Sequence, residues 1–413
     1  MSAPELIDLD GIPVHPDGPD RFPQPRAHPF DPPPLYARLG AAQPVRRIVQ
    51  WNGAPAWFVT RNDLVRALLA DARLSVDATH PNYPAQNAAL QRVRRDYQVF
   101  AQMDPPAHGL ERSLFSSDFS AAGIEAIRPR VQDLVDRLID RMVAGQAPPD
   151  LVAGLAAPLP CSVICALLGV PDSDHAQVQG WSAVISSRLT THEQAAEMTR
   201  SFCDGYLTDL VRLKAREPGP DLLSRLMLEQ VSTGRLTERK VVSLARLFLT
   251  AGHESSTGTL GVGLAALLYH RDQWDALCQN LSLLNGAVEE ILRYTDVTHS
   301  GRLRVATEDI EIGGVTIRAG EAIVMHQCTA NRDPSLYPDP HRFDISRPRR
   351  PHLTFGFGIH ACVGQMLARL ELKMAIGSLA QRLPGLQATE PLEALRFHHD
   401  RAIYGLESLP VRW

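Results

Sequence analysis

The chain has 413 residues, with 42 basic against 46 acidic side chains for a formal charge of −4, and 44% hydrophobic against 21% charged residues. That balance excludes collagen-like, coiled-coil and wholly disordered chains, and the lack of a basic excess speaks against nucleic-acid binding, which relies on clustered Lys and Arg. Six cysteines without a CxxC pair make no disulfide framework and fit a reducing compartment. Met1-Ser2-Ala3-Pro4-Glu5 lacks the basic and apolar regions of a secretory signal, so a cytoplasmic chain is expected. Ten of the 32 prolines fall in the first 34 residues, which predicts extended coil over the surface; residues 1–50 are read as a proline-rich wrapping segment and 51–413 as one domain. Ala56-Trp57-Phe58-Val59-Thr60 reads as a short strand, with a helix from Asp63 through Leu69.

From Arg128 to Met142 apolar residues recur every three or four positions, the pattern of an amphipathic helix. Leu151 to Val170 is uncharged and long enough to span a bilayer, but Pro158 and Pro160 divide it, which predicts a loop and then a buried helix over Cys161–Leu168. A further helical region covers about 193–216. Thr237 to His270 is the longest helical pattern, about 50 Å at 1.5 Å per residue. Its second half is uncharged apart from His253 and Glu254. Turns at Gly313-Gly314 and Ala319-Gly320 separate β-rich runs between Val305 and Met325, a small sheet.

The most informative segment is Phe355-Gly356-Phe357-Gly358-Ile359-His360-Ala361-Cys362-Val363-Gly364, followed by helical Gln365-Met366-Leu367-Ala368-Arg369. It is a glycine-rich loop delivering a cysteine to the start of a helix, where backbone amides favour thiolate over thiol. Gly364 lets a flat partner approach closely.

This run, FGxGxHxCxGxxLAR, resembles the haem-binding signature of the cytochrome P450 monooxygenases at every fixed position. The resemblance implies haem b, iron protoporphyrin IX, with Cys362 as its metal ligand, a thiolate that favours O–O cleavage. Phe355 would pack beside the sulfur. Other segments agree in order. Glu290-Ile291-Leu292-Arg293 matches the family ExxR, with Arg347 the candidate third partner of a buried network. Ala330–Pro334 and Pro338-Asp339-Pro340 resemble the irregular segment that precedes the cysteine loop. His108 and Arg112 of Asp104-Pro105-Pro106-Ala107-His108-Gly109-Leu110-Glu111-Arg112, then Arg304 and His360, match the positions that hold the two propionates. The resemblance covers about Ala56 to Trp413. It implies a mainly α fold with a small β region, triangular, with haem between the long central helix and the cysteine loop.

Ala251-Gly252-His253-Glu254-Ser255-Ser256 resembles the AGxET oxygen-activation motif. The implied roles are Ala251 against the cofactor and Glu254 with Ser255 as the acid–alcohol pair that relays protons. Gly252 beside back-bonding hydroxyls would permit a local distortion of the helix. Ser255 stands where the family usually has Thr; it keeps the hydroxyl but loses the methyl that fixes its rotamer. Oxidative coupling of an aromatic or cyclic-dipeptide-like substrate therefore stands beside hydroxylation.

By position, the pocket would be lined by about 75–100, the 180s, 247–251, 297–299 and 403–404. Its polar neighbours Asp296, Thr298, His299, His398, His399 and Arg401 predict a small, polar natural-product substrate of secondary metabolism, since unpaired buried polar groups are costly. The sequence carries no flavin-holding extension and no CxxC-rich iron–sulfur segment, so the resemblance implies electrons from a ferredoxin and its reductase, drawn to Arg112, Arg349 and Arg350. Two rival readings are a non-catalytic haem sensor and a peroxide-using haem enzyme; the Glu254-Ser255 pair argues against both.

Overall fold

A computed structural model describes residues 22, 26–36, 43–50, 52–84, 88–145, 148–187, 189–298 and 300–413. His299 and residues 85–87, expected at the pocket, and residues 1–21 of the proline-rich segment lie outside the described residues. The chain gathers into two compact units. One comprises the described part of 1–86 with 293–342 and 350–362; the other comprises 87–292, 343–349 and 363–413.

The first unit is built on a sheet. Its strands are β1 (Val45–Val49), β2 (Pro55–Val59), β3 (Leu74–Ser75), β4 (Arg302–Ala306), β5 (Ile310–Ile312), β6 (Val315–Ile317) and β7 (Ala322–Met325). Five of them pair in the order β1-β2-β7-β4-β3, with β5 and β6 a separate hairpin. The expected sheet between Val305 and Met325 is therefore present, and its outer strands reach back to the N-terminal part of the chain. β2 and β7 run parallel with Trp57 opposite Ile323, and β7 is buried along its whole length, as a central strand with both faces covered must be. Val59, Val65, Leu68, Ile323 and Met325 fill one side, where helix Asn62–Ala70 packs. Phe22, Tyr36, Phe58 and Val324 fill the other. β1 falls inside the stretch read as wrapping coil, because Val45 and Val49 alternate with polar residues and cover the edge of β2.

The second unit is helical. Helix Ala121–Ala144 begins earlier than its apolar period, where Ser120 Oγ accepts the Gly123 N–H at 3.1 Å. The predicted loop before Cys161 is instead helical: Val152–Ala156 leads directly into Pro158–Leu168. Pro158 takes the first helical position, where a missing N–H costs nothing, so the prolines start this helix and do not interrupt it. Most of its residues are buried inside the unit, and no helix among the described residues is long and apolar enough to cross a membrane.

Helix Glu238–Tyr269, 32 residues long, is capped by Thr237, whose Oγ1 accepts the Lys240 N–H at 3.2 Å. It is α-helical throughout, so the distortion expected at Gly252 is not seen. Gly252 serves another purpose: a Cβ there would lie 2.7 Å from Ile164 Cγ1, so helix Pro158–Leu168 can approach only because that atom is missing.

Candidate active site

The cysteine loop closes inside the first unit. Gly356 and Gly358 take φ of 73° and 74°, the left-handed region that favours glycine. A Cβ on Gly358 would also meet the Leu69 carbonyl oxygen at 2.8 Å. The Cys362 N–H donates to Phe355 O at 2.8 Å and the Gly356 N–H to Leu353 O at 2.8 Å, drawing the loop into a compact turn. Asn331 ties its base: Oδ1 accepts from Leu353 N at 2.7 Å, and Nδ2 donates to Thr354 Oγ1 at 3.0 Å and Asp296 Oδ2 at 3.2 Å. The Arg66 guanidinium lies 4.1 Å over the Phe357 ring. Despite this fixation no residue from Phe355 to Cys362 is buried.

Four of the other five cysteines are buried. Cys328 is 2% exposed, lies 3.8 Å from an Arg26 nitrogen, and has its thiol pushed up by burial. Cys278 is partly exposed, its thiol also pushed up by burial. Cys362 alone joins an accessible sulfur to a glycine loop and a helix beginning at Gln365.

The implied ExxR network is partly as expected. Glu290 Oε1 accepts from Arg347 Nε at 3.3 Å and from the Asp344 N–H at 3.0 Å. Arg293 is buried and donates to the carbonyls of Asn331 at 3.1 Å, Pro340 at 2.9 Å and Arg342 at 3.3 Å. It pins the irregular segment whose Asn331 holds the cysteine loop.

In the second unit, Val241 to Leu268 of the long helix is buried except for a few positions. Leu247, Thr250, Ala251, Glu254 and Ser255 are among the open ones. Their spacing of three and four residues puts them on one stripe. Ser255 Oγ donates back to Ala251 O at 3.1 Å, and His253 is buried with Nδ1 2.6 Å from Leu249 O. Burial pushes the Glu254 carboxyl up to about 7, against the opposing pull of a hydrogen bond from Ser186 and the charge of Arg401. A cavity of about 240 Å³ adjoins this acid, lined by His253, Glu254 and Thr257 of the helix, by Gln179, and by His398, Arg401 and Tyr404. The acid is therefore half in a low-dielectric wall and half beside polar space, with a proton affinity near neutrality.

The residues expected at the propionates divide between the units. His108 and Arg112 stand four apart on helix Ala107–Ser113, flanking Phe100 at 6.2 Å and 6.0 Å. Burial first, and the charge of Arg112 second, lower the proton affinity of His108. Arg304 is buried on β4, with Nη1 donating to Leu303 O at 2.7 Å. His360 ends the short turn Gly358–His360.

Asp296 is a correction to the expected pocket. It is 1% exposed and bonds to Asn331 and to the Thr298 N–H at 3.1 Å, so it braces the cysteine loop and faces no substrate. Two groups escaped the sequence reading. Ser186 was not identified as the partner of Glu254. Glu371, on helix Gln365–Arg382, is 2% exposed and faces Ser256; its position between Leu370 and Leu372 was the available signal.

In the first unit an open loop, tied at its base and ending in cysteine, is a surface that a large flat apolar group would cover; in the second, taken by itself, so is the open stripe on an otherwise buried helix. A Cβ on Gly364 would meet nothing within 4 Å, and each unit offers one Arg and one His, donors of the kind that hold a carboxylate. The residues present thus fit haem.

Comparison with known proteins agrees. A family model described as Cytochrome P450 matches residues 171–384. Pentalenic acid synthase of Streptomyces avermitilis is 41% identical over 96% of this chain and 98% of its own length. The mycinamicin VIII C21 methyl hydroxylase MycCI of Micromonospora griseorubida superposes with a TM-score of 0.89 at 35% identity, over 95% of this chain and 99% of that one. SgvP, a putative thioether synthase in the tailoring of griseoviridin, gives 0.90 at 36% identity over 95% and 99%. The chain belongs to the cytochrome P450 family, a haem-dependent oxidoreductase of the monooxygenase type whose cofactor is held by a cysteine thiolate.

Proposed function

We propose that Cys362 is the iron ligand and that the enzyme oxidises a small, polar natural-product substrate of secondary metabolism. The observation that carries the assignment is the isolation of Cys362 among the cysteines: accessible, amide-tied to Phe355 O at 2.8 Å, and set in a loop held by Asn331. When bound, haem supplies reductive activation of O₂ at thiolate-ligated iron. By the family pattern His108 and Arg112, and Arg304 and His360, would hold its propionates, and Ala251 and Gly364 would leave room for its faces. Glu254 takes protons from the cavity shared with His398 and Arg401 and passes them along the open stripe to Ser255. A carboxyl near 7 suits this task, since it both binds and releases protons at neutral pH.

Electrons come from an external ferredoxin and its reductase. Arg112, Arg349 and Arg350 supply the attraction, and Lys373 feels the charge of Arg349 as well as that of Glu289, Arg128 and Arg369. Polar groups around Glu254 support a polar substrate. The geometry of Ser255 favours a second reading, coupling without oxygen insertion: its hydroxyl is spent on Ala251 O at 3.1 Å and lacks the methyl that would orient it.

The test is the reduced carbon monoxide complex. Wild type gives the red-shifted Soret band of thiolate ligation, and Cys362→Ala must lose it; survival of that band refutes the ligand assignment. Product masses then separate the chemistries: a gain of one oxygen means insertion, a loss of two hydrogens means coupling.

A further inference from the structure

Arg246 lies on the long helix two turns before Glu254, about 12 Å along the axis at 1.5 Å per residue. It is 3% exposed. Its Nη2 makes one long hydrogen bond, 3.4 Å to Tyr97 O, and its Nε has no partner. The groups that face it are Cys203, Arg94 and Tyr97. Burial pushes the Cys203 thiol up to about 12, so it stays neutral. The Tyr97 hydroxyl is a donor engaged by Asp204, and that carboxylate is turned toward Arg239, 3.9 Å away, which itself stacks on Tyr97 at 4.6 Å. Thus the thiol is neutral, the phenol is neutral, and Arg94 has the same sign. Among the described residues no carboxylate pairs with Arg246. Burial lowers its proton affinity only to about 10, so it remains a cation at neutral pH.

A buried guanidinium carries five donors and is strongly unfavourable without an anion. Here one donor is weakly used and the surroundings supply positive charge. Structural ion pairs elsewhere in the same unit show the contrast: Lys214 lies 2.9 Å from Asp221, and Arg347 3.3 Å from Glu290. We infer that Arg246, with Arg94, is the binding site for a carboxylate of the substrate, fixing the oxidised position about two helical turns away. This rests on the oxidative function proposed above and narrows its substrate to an anion. The carboxylate accepts two parallel N–H bonds from the guanidinium, a geometry that Lys cannot reproduce fully.

The test uses the holoprotein and ω-phenylalkanoates of increasing length, each paired with its primary amide, in spectral titrations. Wild type binds the best carboxylate roughly a hundredfold more tightly than its amide. Arg246→Met binds both alike, Arg246→Lys retains part of the preference, and Arg94→Gln weakens it less. Thermal unfolding supplies an independent readout. Ligand-free Arg246→Met is at least as stable as wild type, because an apolar side chain replaces an unpaired buried charge.

Equal binding of acid and amide by wild type overturns the inference, as does a preference that survives in Arg246→Met. So does a lower melting temperature of ligand-free Arg246→Met, which would make Arg246 a clamp on Tyr97. Inorganic phosphate stabilising wild type as well as the carboxylates do would also overturn it. A normal carbon monoxide spectrum beside any of these results leaves the haem-thiolate assignment standing.

Discussion

Among the described residues no cation stands beside Glu371. The hydroxyl of Ser256 faces it, and neither carboxyl oxygen makes a hydrogen bond of normal geometry. Burial pushes the carboxyl up to about 8 from an ordinary 4.5. At 1.36 kcal/mol per pH unit, ionising it in the folded protein costs about 5 kcal/mol. The folded state therefore keeps a proton that the unfolded chain releases near 4.5. Its contribution to stability is full below that value, declines at about 1.4 kcal/mol per pH unit, and is lost above about 8. Glu371→Gln keeps the shape and cannot titrate, so its stability relative to wild type should rise by about 4 kcal/mol between pH 5 and pH 8. Urea unfolding of both holoproteins across this range, followed by tryptophan fluorescence, measures the difference. Glu254, pushed up to about 7, tilts the profile the same way in both proteins and cancels. Parallel stability profiles for the two proteins would refute the reasoning.

Four further outcomes follow from the described geometry. Glu254→Gln should lower kcat by about a hundredfold with KM little changed; the wild-type fall in product yield per electron pair as pH rises through about 7 should vanish in the variant. Ser255→Thr adds the orienting methyl and should raise oxygen insertion relative to hydrogen peroxide release, measured as product per NAD(P)H consumed. Gly252→Ala should cost about 1–3 kcal/mol by pressing on Ile164. Ile164→Ala, which removes the two nearest of the three crowding atoms, should cost less in that background than alone in a double-mutant cycle of thermal unfolding. Glu290→Gln takes the buried carboxylate from the largely covered Arg347 and should cost up to about 3–5 kcal/mol, read as a lower melting temperature of the holoprotein.

Features with local causes were legible in the sequence. The long helix, expected over Thr237 to His270, runs Glu238–Tyr269 because Thr237 is a side-chain cap and the apolar period is uninterrupted. The cysteine loop was readable because its glycines and its spacing are dictated by backbone geometry over a dozen residues. Pro158 misled because proline marks helix starts as well as breaks, and only the packing of Cys161, Ile164 and Leu168 decides between them. Asp296 looked like a pocket residue because nothing local reveals Asn331, 35 positions away, as its partner. Arg246 and Glu371 are ordinary helix residues by pattern. Their isolation from counter-charge comes from tertiary packing, which periodicity does not encode.

The ties described for the cysteine loop, from Asn331 and Arg302, lie in the first unit, as does the Leu69 carbonyl that Gly358 passes closely. Glu254, its cavity and Arg246 lie in the second. Side chains around the acid can therefore be exchanged without touching the ties described for the cysteine loop. A graft between relatives that carries 87–292 together with 363–413, and so His398, Arg401 and Tyr404 of the cavity, is the exchange that would change its diet of metabolites.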